Sequence, residues 1–137
     1  VALTHLLDPS VVTRLRHGVV REAIEARAER GQLGRAGISD LELGYSARDE
    51  AEWDQLEEAL RAFELVETTA EHVRRARQVQ RMLAAKHQRG RKVPDLLIAA
   101  AAESHSLIVL HYDADFDRIA AVTGQSCEWV VPAGSVD

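Results

Sequence analysis

The run SLIVLHYDADF, residues 106–116, decides the fold. Ile108 and Val109 are β-branched and stand inside an apolar run spanning 106–112, the pattern of a strand buried on both faces. Asp113 ends that run, and helical spacing resumes over 116–122. A strand of this kind belongs to a mainly parallel sheet, because parallel strands need helical crossovers that cover both faces.

Working upstream, Pro94 opens a helix expected over 95–104, preceded by the basic loop QRGRK, residues 88–92. Before it come a helix over 70–87 capped by Thr68, a short strand LVE at 65–67, and an acidic helix over 51–63 carrying Glu52, Asp54, Glu57 and Glu58. A helix over 39–47 follows a second extended piece at 34–38. The segments 10–17 and 19–30 read as a helical hairpin that Gly31 stops. The chain's first apolar run, ALTHLL at 2–7, ends sharply at Asp8-Pro9 and reads as a buried strand feeding a helix. Downstream, CEWVV at 127–131 is a last strand. The alternation predicts an α/β domain over 1–137, with a mainly parallel central sheet of about four or five strands and helices on both faces.

Composition narrows the function. With 137 residues, 46% apolar and 28% charged, the chain is long enough to bury a core without disulfides. The lone Cys127 forms no internal disulfide, no apolar run approaches the length of a membrane span, and VALTHLL lacks a basic leader; a cytoplasmic protein is expected. The net charge of -5 argues against nonspecific coating of nucleic acid. Locally the balance reverses: eight of the seventeen basic residues fall between Arg74 and Lys92, with no acid among them.

The acids sit where a parallel sheet does its work, beyond the carboxyl ends of the strands. Asp8 and Asp113 are each the first polar residue after a buried strand, so neighbouring strands bring them into one crevice. Asp115 lies two residues on, Glu42 begins the helix after the second extended piece, and Asp95 opens the helix before SLIVLHY. Carboxylates crowded into a partly desolvated cleft need a cation, and oxygen ligands with no cysteine or histidine pair favour Mg²⁺ or Mn²⁺ over zinc. The chemistry matching such a site is phosphodiester hydrolysis. Each acid also has a local role to play. Asp8 is a good N-cap before Pro9, Ser39 and Glu42 have the S-x-x-E spacing of a capping box, Asp95 suits a first helical turn, and Asp113 or Asp115 suits the cap of the helix near Phe116.

The ordered segments LLDPSVV, ISDLELGYSA, KVPDLLIAAAA and LIVLHYDADFDRIA resemble the PIN-domain family, and its VapC toxins in particular, across essentially the whole chain. That resemblance implies a PIN-like fold and a metal-dependent endoribonuclease. Asp8, Glu42, Asp95 and Asp113 match the acidic metal-site positions and Asp115 is an additional candidate ligand. Ser10 matches the small polar residue after the first acid, while Pro9 departs from the threonine or small polar residue common there. The resemblance further implies a VapB-type antitoxin whose tail occludes the site, a homodimer, and toxin-antitoxin hetero-oligomers, with no membrane partner.

The basic segment leads directly into Asp95, and Arg77, Arg81, Arg89 and Arg91 are its candidates for RNA phosphates, the competing reading being a solvated helix face. Tyr45, Trp53 and Trp129 read as core or interface anchors rather than stacking residues, and His111 as a strand-end neighbour of the site without a second histidine at ligand spacing. Two other classes compete. One is a catalytically inactive PIN-fold protein or RNA interaction module. The other is a phosphatase or phospho-acceptor domain, disfavoured by DPS in place of D-x-D and by the lack of a well-placed lysine.

Overall fold

The protein was analysed as a computed structural model that describes residues 2–88 and 92–137. Five strands form one sheet in the order β3-β2-β1-β4-β5, and every pairing is parallel. They are β1 (His5–Leu7), β2 (Leu33–Ala36), β3 (Glu64–Val66), β4 (Ile108–His111) and β5 (Cys127–Trp129). The first strand in sequence is thus the central one, flanked by β2 and β4.

Between the strands run α1 (Pro9–Val12), α2 (Gly18–Glu29), α3 (Gly37–Gly44), α4 (Glu50–Leu60), α5 (Ala70–Ala85), α6 (Val93–Ser104) and α7 (Asp115–Thr123). Strand residues alternate between two buried layers, as the pleat requires. Leu6 and Val109 pack with α5, α6 and α7 through Val79, Leu83, Ile98 and Phe116. Leu7, Leu33 and Leu110 face the other way, toward Val11, Val20, Ile24 and Leu60. Helices therefore cover both faces, and each fully buried leucine contributes about 2 kcal/mol through removal of apolar surface from water.

Several element ends differ from the sequence expectation, each for a local reason. The expected helix over 10–17 is a single turn, α1, followed by turns up to the start of α2. α3 begins at Gly37, two residues before Ser39, with Ala36 at its N-cap and no side-chain cap. Ser39 is instead buried with no partner for its hydroxyl, so the expected Ser39–Glu42 capping box does not form. Thr69, not Thr68, caps α5: its Oγ1 accepts from His72 N–H, and His72 Nδ1 accepts from Thr69 N–H, both at 3.2 Å. β3 is shifted one residue toward the N-terminus of 65–67, and α4 starts at Glu50 behind the Asp49 cap. Gly31 and Gly124 end α2 and α7 in the left-handed region, with φ of 67° and 76°, where a side chain would be strained.

Candidate metal centre and active-site cleft

The β1–β4 pairing sets the site. Leu7 lies opposite Leu110, and Asp8 N–H donates to Leu110 O at 2.9 Å, so both strands end together. Asp8 leaves one strand and Asp113 the other, while Asp95, in the first turn of α6, reaches in from the layer covering them. One carboxylate oxygen from each of Asp8, Asp95 and Asp113 lies within 4.8 Å of the other two. Asp8 is 3% exposed and Asp95 2%, an unusual burial for acids.

Asp8 performs its local role and keeps an oxygen to spare. Its Oδ2 accepts from Ser10 N–H at 3.0 Å and caps α1, with Pro9 at the first helical position. Its Oδ1 is buried without a partner, as is Oδ2 of Asp95. Ser10 Oγ accepts from Tyr112 N–H at 2.8 Å, tying α1 to the end of β4, so a hydroxyl fastening survives one residue beyond Pro9.

Asp113 is the best compensated of the three. Its Oδ1 accepts from Asp115 N–H at 2.9 Å, its own N–H donates to His111 Nδ1 at 3.1 Å, and Lys92 Nζ stands 3.1 Å from its Oδ2.

Electrostatics follow from this inequality. Burial, together with repulsion from Glu42 and Asp113, raises the Asp8 carboxyl from 3.8 to about 6 despite the Ser10 hydrogen bonds. Burial and the neighbouring Asp8 and Asp113 push Asp95 up to about 8. Burial also works against ionisation of Asp113, but the Asp115 N–H and Lys92 outweigh it and hold the group below its usual value. The hydrogen bond to Asp113 raises Lys92. In the absence of another cation the cleft thus retains a proton near neutral pH. Unpartnered buried oxygens, all-oxygen donors and surplus negative charge fit a hard divalent cation such as Mg²⁺ or Mn²⁺.

The other expected site residues divide. Glu42 is in the second turn of α3, half-buried, with Oε1 lacking a partner; it lines the cleft but is not one of the three whose oxygens converge. Burial raises its pKa, with Asp113 adding to the effect and Lys92 opposing it. Asp115 opens α7, pairs with Arg118 at 3.3 Å and contributes its N–H to Asp113, without lining the cleft. Arg77 and Arg81 are exposed on α5 and border a separate shallow groove with Arg74, Gln78, Gln80 and Ala84. Arg89 and Arg91 lie outside the described residues.

The aromatic residues divide between surface and interior. Tyr45 is 91% exposed and Trp53 about half exposed, so neither belongs to the core and the interface reading is the one left to them. Trp129 packs on His111 and Tyr112 and donates Nε1–H to Asp117. His111 is fully buried against Phe116 and Trp129, its Nδ1 serving the Asp113 backbone rather than a metal.

Two cations that sequence reasoning had not picked out line the cleft of about 480 Å³: Arg14, from the turn after α1, and Lys92. Lys92 supplies the very partner whose lack had counted against a phospho-acceptor domain, so that argument lapses; the third acid, Asp95, and DPS in place of D-x-D after the first strand still weigh against it. The signal for Lys92 was its place three residues before Asp95. Arg14 had none beyond its spacing of four from Ser10.

Comparison with known proteins accords with this geometry. The PIN-domain profile matches residues 6–122. Ribonuclease VapC51 of Mycobacterium tuberculosis is 63% identical over 136 residues, covering 99% of both chains. Ribonuclease VapC21 of the same organism is 46% identical over 133 residues, 96% of each chain. Among solved structures, DNA-bound VapBC from Salmonella typhimurium superposes with a TM-score of 0.78 at 20% identity, covering 94% of this chain and 99% of that one. VapBC2 from Rickettsia felis, bound to a promoter fragment, gives 0.77 at 18% identity, with coverage of 92% and 98%. On the profile match and the two VapC relatives, the chain belongs to the PIN-domain family and, within it, to the VapC group.

Proposed function

We propose that the protein is a metal-dependent endoribonuclease toxin, acting as one domain over the whole chain and neutralised by a VapB-type antitoxin. The observation that carries the reading is the convergence of Asp8, Asp95 and Asp113, with buried oxygens on Asp8 and Asp95 that lack partners among the described residues. The two VapC relatives are named ribonucleases, and the similar solved structures are named VapBC complexes.

Asp8, Asp95 and Asp113 would hold Mg²⁺ or Mn²⁺, with Glu42 at the rim and Asp115 supporting through Asp113. The ion supplies activation of water and stabilisation of charge on the scissile phosphodiester. The chain's own residues hold the geometry. Ser10 N–H fixes one oxygen of Asp8 and leaves the other facing the cleft, while His111 and Asp115 fix the backbone and carboxylate of Asp113. Lys92 balances charge beside Asp113. Arg77 and Arg81, exposed on α5, bind RNA phosphates, and the sequence offers Arg89 and Arg91 of the same basic segment for that role. An acidic cleft is open to a lysine or arginine from the antitoxin tail, and the toxin itself works as a homodimer within the hetero-oligomer, in the cytoplasm.

The test is cleavage of a mixed RNA pool by antitoxin-free protein in Mn²⁺, in Mg²⁺ and in chelator, beside an Asp95→Asn control that exposes contaminating nuclease. Cleavage in either metal that chelator and Asp95→Asn both abolish is the expected result. Equal cleavage in chelator overturns the metal-dependent mechanism, and no cleavage in either metal returns the chain to the reading of an inactive PIN-fold interaction module.

A further inference from the structure

The two cations of the cleft are held in different ways. Lys92 is engaged with Asp113. Arg14, among the described residues, has no side-chain carboxylate within ion-pair distance; its hydrogen bonds go to main-chain oxygens. Nη1 donates to Ser10 O at 2.9 Å, Nε donates to the backbone O of Asp137 at 3.0 Å, and the guanidinium carbon stands 4.7 Å from the centroid of the Tyr112 ring. Two of its N–H groups are thus used for positioning, and the rest of the fork remains available.

The supports are themselves fixed. Tyr112 hydroxyl donates to Val136 O at 2.8 Å and accepts from Val136 N–H at 3.1 Å, and its backbone N–H is bound to Ser10 Oγ. Residue 137 is fastened again by Arg16 and His17, at 3.2 and 2.8 Å from its side chain. The segment 132–137 therefore straps the turn after α1 to the end of β4, with Arg14 between them. A guanidinium stacked on a ring and anchored through main-chain oxygens loses little further freedom on binding, and no acidic side chain among the described residues forms an ion pair with it. It stands in the same cleft as Asp8, Asp95 and Asp113. Arg74, Arg77 and Arg81 of α5 border a different groove.

We propose that Arg14 is a substrate-positioning residue that grips a backbone phosphate of the RNA strand at the edge of the acidic cleft, held ready by Tyr112 and the segment 132–137. The inference rests on the ribonuclease reading above.

The experiment compares full-length, antitoxin-free wild type with Arg14→Gln and Arg14→Lys. Binding of a fluorescein-labelled 20-nucleotide single-stranded RNA is followed by anisotropy with Ca²⁺ in place of Mn²⁺ across a salt series. Cleavage kinetics with Mn²⁺ and calorimetric Mn²⁺ affinity are measured alongside. Arg14→Gln raises Kd and KM about tenfold, keeps kcat within about threefold, and flattens the log–log salt slope by about 0.7, the signature of one lost phosphate contact on a single strand. Mn²⁺ affinity stays unchanged. Arg14→Lys restores the salt slope but only part of the affinity, because the fork is lost.

A measurement on wild type keeps the test decisive if Arg14→Gln does not fold: RNA slows phenylglyoxal modification of Arg14, read by mass spectrometry. Unchanged Kd and slope in Arg14→Gln, or an unprotected Arg14 in wild type that binds RNA, overturns the proposal. A fall in Mn²⁺ affinity with KM unchanged overturns it as well, and makes Arg14 a prop of the acids. Wild type that neither binds nor cuts RNA overturns the ribonuclease reading, a failure distinguishable from that of Arg14 alone.

Discussion

Asp8→Asn separates two demands that the structure places on one side chain. The amide keeps an oxygen to accept from Ser10 N–H, so the α1 cap survives. The negative charge facing Asp95 and Asp113 does not. In the metal-free wild type, the rise of the Asp8 pKa from 3.8 to about 6 corresponds to about 3 kcal/mol of disfavoured ionisation above that pH. Removing the charge at pH 7.5 therefore stabilises the chelated protein by up to about 3 kcal/mol, or a Tm increase of up to about 10 °C for a chain of this size.

With metal the order reverses. An ion at a hundredfold its Kd stabilises wild type by about 2.7 kcal/mol, and the variant loses most of that increment. The pH dependence carries the same signature. A carboxyl whose folded pKa is raised keeps a proton that the unfolded chain releases, so stability without metal is greatest below pH 3.8 as far as these groups decide it, then falls. The Asp8 contribution falls until about pH 6 and the Asp95 contribution until about pH 8. Asp8→Asn flattens the lower part of that decline. Thermal melts in chelator and in Mn²⁺ at several pH values read all of this. A variant that is less stable than wild type in chelator, yet retains the full Mn²⁺ shift, refutes the assignment of Asp8 and the electrostatic account together. Asp8→Ala, compared with Asp8→Asn, provides the scale for the cap, with a cost of about 1 kcal/mol relative to the amide.

Mn²⁺ affinity of wild type increases between about pH 6 and 8, because Asp8 and Asp95 must give up protons to bind; calorimetry that finds no pH dependence across this window contradicts the raised carboxyls. Replacing Arg77 and Arg81 together by glutamine weakens RNA binding and flattens its log–log salt slope by about 1.4, with kcat unaffected. An unaltered slope makes the exposed face of α5 a solvated surface and nothing more.

The central architecture is legible in the sequence because its signals are strong and local. An apolar run ended by an acid marks β1 and β4, and Asp8 and Asp113 follow from those ends. The third acid, Asp95, is found through Pro94 and the apolar spacing of α6. Other features were legible only in part. Ser39-x-x-Glu42 imitates a capping box, yet tertiary packing draws Ser39 into the interior and starts α3 at Gly37, where no capping side chain announces it. Glu42 thereby moves into the second turn and to the cleft rim. Tyr45 and Trp53 read by type as core or interface anchors, and residue type does not say which: the end of α3 leaves Tyr45 exposed and α4 leaves Trp53 about half covered. Arg14 and Tyr112 meet over nearly a hundred residues of chain, and no periodicity reports a contact made by a terminal strap. The charge run from Arg74 to Lys92 drew attention to α5, whereas the cation beside Asp113 is its last member, Lys92.

The central place of β1 has a consequence for how such a protein comes into being. Its first strand pairs early with β2, but its other edge stays open until β4 is inserted, and the Ser10–Tyr112 bond closes a span of 102 residues. Contacts of that separation form late in folding, after the entropy of a long loop has been overcome. On the ribosome, Asp8 emerges long before Asp113, and the acidic trio does not exist until β4 has emerged and been inserted. On the proposed function, a nascent chain is inert by topology until β4 is in place, and an antitoxin has that interval in which to arrive.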